Sequence, residues 1–280
     1  MQTIAIVGLG LIGGSLGLDL SARGYRVLGV ARRQSTCDQA LARGAVHQAD
    51  TNLGLATTAD VVLVCTPIGT VLETIERLVP YLPETTVITD VASVKGAIVA
   101  RATDLWPNFV GGHPMAGKAR AGIEAAEAGL FAHRPYVITP IASTPSHAVD
   151  RVKLLVKQLQ GQLFQCQPHE HDQAVAWISH LPVMVSSSLI QACQNETNPL
   201  ILSLAKNFAS SGFRDTSRVG GGDPQLGLMM AQYNRDFLLQ SLEVYQRQIQ
   251  QLTDTIRQED WPGVLEALAA AQVSRSDFVE

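Results

Sequence analysis

The chain has 280 residues, of which 46% are hydrophobic and 16% charged, a globular composition long enough for one large domain or two modest ones. Its formal net charge is −4, without a block of Lys or Arg residues, which argues against binding to nucleic acid. Its apolar runs are interrupted by glycines or charges, and its amino end lacks a basic signal-peptide segment, so we expect no membrane span and no secretion. Four scattered cysteines without a CxxC pair are typical of reduced thiols in a cytoplasmic protein.

The first part of the chain alternates short β-branched runs with helical stretches. Predicted strands cover residues 3–8, 26–31, 61–65, 86–89, 109–111, 136–139 and 162–166, and predicted helices cover 11–24, 35–44, 69–82, 94–103 and 146–159. The strands are continuous apolar runs, as expected for a parallel sheet with helices on both faces. We therefore predict an α/β domain over residues 1–167.

The pattern changes after Pro168, where strand signals disappear. Residues 169–194 and 232–257 carry apolar side chains at three- and four-residue spacing, which predicts helices. Residues 168–280 are accordingly predicted to form an all-helical domain, a type of layer that often forms a dimer interface. Pro182 falls inside the first long helix and is expected to kink or interrupt it.

A glycine motif follows the first predicted strand. Gly8, Gly10 and Gly13 form G-x-G-x-x-G at the start of the first helix. The first glycine permits a tight turn, the second lets the backbone approach a pyrophosphate, and the third lets the helix pack on the strand. Because the amides of the first helical turn would face the anion, Leu11 and Ile12 are also predicted to bind the cofactor. The motif predicts a nucleotide-binding Rossmann domain, and a turn used only for packing is the alternative.

The end of the second strand indicates which nucleotide is bound. An acidic residue there would hold the ribose hydroxyls of NAD, but Arg32 and Arg33 occupy the place. Arginine can bind a 2′-phosphate through two parallel hydrogen bonds, so we predict NADP. The alternative is that both arginines are solvated loop residues. Thr66 and Pro67, at the end of the strand over 61–65, are expected to lie near the nicotinamide and shape its pocket.

His113 is the predicted catalytic residue. It follows a short strand within the segment GGHPMAG, residues 111–117, where a neutral imidazole could take a proton from a substrate hydroxyl while hydride leaves the same carbon. Ser93, in the loop DVASVKG at 90–96, could orient this histidine and share the hydroxyl. The alternative for His113 is a turn histidine that caps the strand. Lys95 is either a charge near the site or a plain helix-start residue.

An acidic substrate would need cations in this negatively charged chain. The segment FRDTSR, residues 213–218, supplies Arg214 and Arg218 beside a glycine-rich loop. Arg218 is the preferred carboxylate anchor, with Asp215 orienting it, and a structural Arg–Asp ion pair is the alternative. His180 either lines the cleft or is an ordinary buried histidine.

We predict no metal site. His169 and His171 lie two positions apart on a predicted helix, so they point to different faces and cannot easily share one ion. The acidic residues of the segment HEHD, residues 169–172, are interpreted as a helix start that complements the helix dipole.

Five motifs occur in an order that resembles the prephenate/arogenate dehydrogenases of tyrosine biosynthesis. They are the glycine motif, DVASVKG, GGHPMAG, SHLP at 179–182 and FRDTSR. With the arginines after the second strand, the chain is most similar to the NADP-using arogenate dehydrogenases of plants and cyanobacteria. The resemblance implies a Rossmann domain, a helical dimerisation domain that makes a homodimer, and an active site in the cleft between the domains.

The resemblance also implies residue roles and a reaction. The family's catalytic histidine falls on His113, its serine partner on Ser93 and its substrate-binding arginine on Arg218, and Gly117 lies near the substrate. The implied reaction is NADP-dependent oxidative decarboxylation of L-arogenate to L-tyrosine, with His113 accepting the proton of the ring hydroxyl. The alternatives are prephenate as the substrate, a different NADP-dependent reductase such as a β-hydroxyacid or imine reductase, against which GGHPMAG argues, and a non-catalytic NADP-binding sensor.

Two departures from the family lie near the expected pocket. Many relatives have a second histidine directly after SHLP, where this chain has Val183. Many have Thr-Glu after the glycine of HPMAG, where this chain has Lys118 and Ala119.

Overall fold

The computed structural model describes residues 2–118 and 120–279, and an eight-stranded sheet forms the first part of the fold. The strands are β1 (Thr3–Val7), β2 (Arg26–Val30), β3 (Gln48–Asp50), β4 (Val61–Val64), β5 (Val87–Asp90), β6 (Phe109–Pro114), β7 (Pro135–Thr139) and β8 (Gln162–Gln165). Their order in the sheet is β3-β2-β1-β4-β5-β6-β7-β8. Neighbouring strands pair in parallel except β6 and β7, which are antiparallel.

Helices cover both faces of this sheet. They are α1 (Leu11–Ala22), α2 (Gln34–Ala42), α3 (Val71–Leu78), α4 (Gly96–Leu105) and α5 (Ser146–Gln158). Along β1, Ile4 and Ile6 belong to one buried apolar cluster. Ala5 and Val7 belong to a second one. Because successive strand side chains point to opposite faces, the continuous apolar runs are explained by burial on both sides.

Two features of the sheet differ from the sequence-based expectation. The strand β3 was not predicted, because its three residues, Gln-Ala-Asp, carry no apolar run. The sheet was predicted to be parallel, yet β7 runs against β6. In its described part the connection between them holds the short 3₁₀ turn Ile123–Ala125 and no α-helix of the kind that usually joins parallel neighbours.

The chain after Gln165 is helical. The helices are α6 (Pro168–Val175), α7 (Leu181–Gln194), α8 (Pro199–Phe208), α9 (Ser211–Ser217) and α10 (Pro224–Tyr233). A π-helical turn, Ala176–His180, joins α6 to α7 directly before Pro182, so the regular α-helix is interrupted where the proline predicts. The α/β fold followed by an all-helical part, as predicted, is confirmed.

The described residues form two compact units, and the division between the units falls after Asn234. Residues 2–234 form one compact unit, which holds the sheet and α1–α10. The other unit contains α11 (Arg235–Arg257) and α12 (Trp261–Arg275). The division into domains at 167 and 168 stays a prediction.

One helical stretch in the described part of the chain, Pro168–Gln194, is long and apolar enough to cross a membrane by length and composition. A core helix of a soluble protein passes the same test, so this is weak evidence for a span. The stretch also buries His171, Asp172 and His180, which are polar side chains.

Candidate active site

The glycine motif forms a tight loop between β1 and α1. Gly8 has a φ of +106°, and a Cβ there would lie 2.5 Å from the carbonyl oxygen of Cys65. A Cβ on Gly13 would lie 2.0 Å from the carbonyl oxygen of Gly8. Gly10, by contrast, faces open space, and no side chain caps α1 there. The open backbone at a helix N-terminus fits a pyrophosphate.

The other residues predicted to bind a cofactor lie at the same edge of the sheet. Because β1, β2 and β4 are parallel, their carboxyl ends meet there. Arg32 and Arg33 follow β2 with exposed side chains, and Arg33 is the N-cap of α2. Thr66 follows β4, and its hydroxyl lies 3.4 Å from that of Thr74. Pro67 is exposed.

His113 lies near the carboxyl end of β6, which is parallel to β5, so it shares this edge. Its side chain is buried and contacts another histidine edge to face, with ring centroids 5.0 Å apart. The Nδ1 atom of His113 lies 2.8 Å from Nε2 of His171. The Nδ1 atom of His171 lies 2.8 Å from Oδ1 of Asp172. A hydrogen bond therefore joins the end of β6 to α6, through two histidines that are 58 residues apart in the chain.

The carboxylate of Asp172 caps the start of α4. The backbone amides of Lys95 and Gly96 each donate to it at 2.7 Å. A Cβ on Gly96 would lie 2.8 Å from Oδ2 of Asp172, so the close approach depends on glycine. A negative charge is favoured at this helix N-terminus.

A buried ion pair holds the backbone next to His113. The ammonium of Lys95 donates to the Asp90 carboxylate and also, at 2.7 Å, to the carbonyl oxygen of Gly112. The amide of Gly112 donates to Oδ1 of Asp90 at 3.1 Å. Both backbone groups of the residue before His113 are thus fixed by one pair. Burial lowers the pKa of Lys95, and the charge of Asp90 opposes that shift.

The surroundings of His113 keep its imidazole uncharged. Burial lowers the pKa of His113 well below the ordinary value of 6.5, and interactions with His171, Lys95 and His180 lower it further. The side chain is therefore neutral near pH 7 and able to accept a proton.

His180 lies in the π-helical turn and is fully buried. The side-chain amide of Asn234 donates to the Asp172 carbonyl oxygen at 2.8 Å and lies 3.0 Å from Nδ1 of His180. Because that amide nitrogen donates, Nδ1 accepts and Nε2 carries the proton. Nε2 is buried without a partner in residues 2–118 and 120–279. Burial lowers the pKa of His180 to about 4.

The predicted substrate cations lie on exposed helix α9 and directly after it. Arg218 is the C-cap of α9 and is exposed. Asp215, expected to orient Arg218, instead accepts from Nε of Arg214 at 3.1 Å. The following glycine loop crosses α7, where the amide of Gly220 donates to the hydroxyl of Ser186 at 2.9 Å.

Ser93 and Gly117, the remaining predicted site residues, lie in loops at the edge that carries His113. Ser93 is half-buried between β5 and α4, two positions before Lys95. Gly117 and Lys118 are exposed in the segment after β6, and Lys118 pairs with Glu127. Ala119 lies outside the described residues. Val183 is half-buried on α7.

Sequence reasoning missed four residues of this site: Asp90, His171, Asp172 and Asn234. A usable signal existed for two of them. In α6 and the turn after it, positions 171, 172, 175 and 176 are buried, and Val175 and Ala176 continue the helical spacing of His171 and Asp172. That spacing places both polar side chains on the buried face, where a histidine beside an aspartate needs hydrogen-bond partners.

The fold and this edge define a class of protein: a Rossmann-type nucleotide-binding domain followed by helices, with a buried neutral histidine at the strand ends. Comparison with known proteins narrows the class. Residues 16–165 match the family model of the prephenate dehydrogenase nucleotide-binding domain, and residues 167–270 match that of the prephenate dehydrogenase dimerization domain. The chain belongs to the prephenate dehydrogenase family and is an oxidoreductase, as the resemblance implied.

Individual relatives cover nearly the whole chain. The prephenate dehydrogenase of Bacillus subtilis is 33% identical over 266 residues, which are 92% of this chain and 71% of that protein. The crystal structure of Synechocystis arogenate dehydrogenase is 49% identical, with a TM-score of 0.89 over 99% of this chain and all of that one. The Aquifex aeolicus prephenate dehydrogenase, solved with hydroxyphenyl propionate and NAD+, is 25% identical with a TM-score of 0.93, covering 99% and 98% of the two chains.

Proposed function

We propose that the protein is an NADP-dependent dehydrogenase that converts L-arogenate to L-tyrosine and carbon dioxide, with His113 as the proton acceptor. The observation that carries this proposal is the buried, uncharged His113 at the edge of the sheet where the glycine loop opens. The 49% identity to a protein named arogenate dehydrogenase supports the choice of substrate.

The reaction divides between cofactor and protein. A bound nicotinamide supplies a hydride acceptor for the ring carbon that bears the hydroxyl. His113 accepts the proton of that hydroxyl and returns it to the product phenolate. Loss of the ring carboxylate as carbon dioxide restores aromaticity, which makes the reaction effectively irreversible. General-base catalysis of this kind contributes about 10²- to 10⁴-fold in rate.

Several residues are proposed to bind the substrate and position it. Ser93 shares the ring hydroxyl with His113. Arg218 anchors a carboxylate, with Arg214 as a second cation. His180 presents a buried N–H, which a substrate oxygen accepts. Gly117 leaves room beside the substrate, since a Cβ there would meet no atom within 4 Å.

NADP is the proposed cofactor because of the arginines after β2. Gly8, Gly10 and Gly13, with Leu11 and Ile12, bind the pyrophosphate, and Thr66 and Pro67 shape the nicotinamide pocket. Arg32 and Arg33 are exposed at the strand end, where the ribose 2′-phosphate would lie. The Aquifex structure named above contains NAD+, so the preference for NADP is argued from the arginines of this chain and not from that relative.

Arogenate and prephenate differ only in the side chain, which carries an ammonium in one and a keto group in the other. Val183 cannot donate to a keto oxygen, so one contact suited to prephenate is missing. Asp215 supplies an acceptor for an ammonium group. Such an acceptor discriminates strongly when the bound substrate buries it, because the wrong substrate then leaves it unpaired.

The active protein is proposed to be a cytoplasmic homodimer that assembles through its helical part. The matching family model is described as a dimerization domain. Large apolar side chains are exposed on these helices, among them Leu200, Phe208, Trp261 and Leu265. Large exposed apolar side chains on the helices of each unit are consistent with surface that a second copy of the chain would cover.

Steady-state rates with purified arogenate and prephenate, each with saturating NADP+ and then NAD+, test the function. We expect kcat/KM for arogenate to exceed that for prephenate at least about tenfold, a difference of about 1.4 kcal/mol. Equal values or faster use of prephenate would identify a prephenate dehydrogenase. Tight NADP binding without turnover of either acid would identify a sensor.

A further inference from the structure

The hydrogen bonds behind His113 have a direction that can be derived from their far end. Oδ1 and Oδ2 of Asp172 accept hydrogen bonds from the backbone amides of Lys95 and Gly96, and a carboxylate has no proton of its own to donate. The ring atom Nδ1 of His171, 2.8 Å from Oδ1, must therefore donate. This fixes the proton of His171 on Nδ1.

The next bond follows from the first. An imidazole that carries its single proton on Nδ1 has a lone pair on Nε2. Nδ1 of His113 lies 2.8 Å from that atom, so His113 donates through Nδ1. The remaining nitrogen of His113, Nε2, then carries a lone pair.

We propose that His171 and Asp172 are positioning residues that hold His113 in the tautomer whose Nε2 accepts the substrate proton. The inference rests on the proposed role of His113 as the base. In the opposite tautomer Nε2 would carry a proton and could not accept another. The carboxylate sets the orientation of both rings from a distance, and neither His171 nor Asp172 touches the substrate.

Burial makes this direction hard to reverse. His171 and Asp172 are 2% and 4% exposed, so water cannot replace either as a partner. If both hydrogen bonds ran in the opposite direction, the Nε2–H of His171 would donate to an Nδ1 lone pair of His113. The Nδ1 lone pair of His171 would then face the Asp172 carboxylate. A buried carboxylate that loses a donor and meets a lone pair is strongly disfavoured.

The first test reads the tautomer directly and needs no activity. Nuclear magnetic resonance of the full-length protein labelled with ¹⁵N-histidine, at neutral pH with His113 assigned through the His113→Asn variant, distinguishes a protonated ring nitrogen from a bare one. We expect the proton of His113 and that of His171 on Nδ1. A proton on Nε2 of His113 overturns the proposal.

The second test separates positioning from simple packing. His171→Gln keeps an acceptor for the Nδ1–H of His113, whereas His171→Leu fills similar space without one. We expect His171→Leu to lower kcat about 10- to 100-fold with little change in KM, as losses of such supporting partners do. His171→Gln should recover most of that loss. Equal kcat values for the two variants, or a loss confined to KM, would contradict the inference.

Control variants and a second substrate keep this result distinct from the proposed function. His169 is exposed on the same helix, so His169→Gln and His169→Leu should both leave kcat unchanged. The Gln and Leu variants of His171 are measured with whichever of arogenate and prephenate the wild type uses. If the wild type uses prephenate, the arogenate proposal fails while the ratio between the two variants still tests the tautomer.

Discussion

The candidate site has two contrasting regions. At the sheet edge, Lys95, His113 and Asp172 are at most 8% exposed and are joined by hydrogen bonds to other protein groups. On and beside α9, Arg214 and Asp215 have side chains that are 74% and 70% exposed, and their contact is with each other.

The difference teaches how the two regions contribute. The side chains at the sheet edge are held in place before a ligand binds, so their conformational entropy is lost during folding and not during binding. Such pre-organisation suits groups that must match a transition state. The exposed cations are solvated and gain most of their effect when a ligand excludes water around them. We therefore expect substitutions at the sheet edge to affect rate and stability, and those near α9 to affect substrate binding.

The largest effect is expected at the proposed base. His113→Ala should lower kcat about 10²- to 10⁴-fold, or about 3–5 kcal/mol, because no other group accepts the proton. NADP affinity, measured by fluorescence titration, should stay nearly unchanged. His147→Ala, an exposed histidine on α5, serves as the control. Near-normal kcat for the His113 variant at neutral pH would remove this residue from the mechanism.

The pH dependence has a definite sign. Because the pKa of His113 is lowered, its neutral form prevails above the ordinary value of 6.5 and is lost only when the pH falls well below it. The base should therefore not limit kcat/KM between pH 6.5 and 8. An acid limb centred above pH 6.5 that disappears in His113→Ala would contradict the burial argument.

The second effect concerns folding stability at the sheet edge. Lys95→Met leaves the Asp90 carboxylate buried and unpaired, which should lower the free energy of unfolding by about 3–5 kcal/mol. The matched control is Lys118→Met, since Lys118 pairs with Glu127 where both side chains are at least 40% exposed. That change should cost less than about 1 kcal/mol. Urea unfolding measures both, and similar losses would mean that burial does not set the energy of the Lys95 pair.

Much of the fold could be predicted from the sequence because its signals are local. The strands in the sheet centre are unbroken apolar runs, and the glycines sit where a tight turn requires them. The polar edge strand β3 and the antiparallel direction of β7 could not be predicted in this way, since pairing with neighbouring strands rather than local pattern determines them. His113 stands out through its glycine- and proline-rich segment. Asp172 does not, because its role arises only when α6 reaches the start of α4, 77 residues away along the chain.

The third effect separates the two cofactors. Replacing Arg32 and Arg33 together with alanine should weaken NADP binding by about 3 kcal/mol, roughly 10²-fold, because charged hydrogen bonds to the 2′-phosphate are lost. NAD has no such group, so its affinity should change little. Isothermal titration with each cofactor measures the difference. A wild type that prefers NAD would be the contrary result.

The fourth effect tests the exposed region. Arg218→Ala should raise KM for the acidic substrate about 10-fold while changing kcat by less than about threefold, since a carboxylate contact acts in the ground state and the transition state alike. Arg151→Ala, an exposed arginine on α5, is the control. If KM is unchanged, Arg218 has no part in anchoring the substrate.

The smallest effect is expected for the exposed pair beside that anchor. Nε of Arg214 lies 3.1 Å from Oδ1 of Asp215, but both side chains are mostly solvated, so water competes for each charge and salt screens the attraction. A double-mutant cycle with Arg214→Ala and Asp215→Asn should give a coupling energy below about 1 kcal/mol in urea unfolding. Added salt should reduce that energy towards zero, whereas the loss caused by Lys95→Met should persist because water and ions cannot enter its surroundings. A coupling energy comparable with that of the buried pair, or one insensitive to salt, would show that the two regions are not as different in solvation as their exposure indicates.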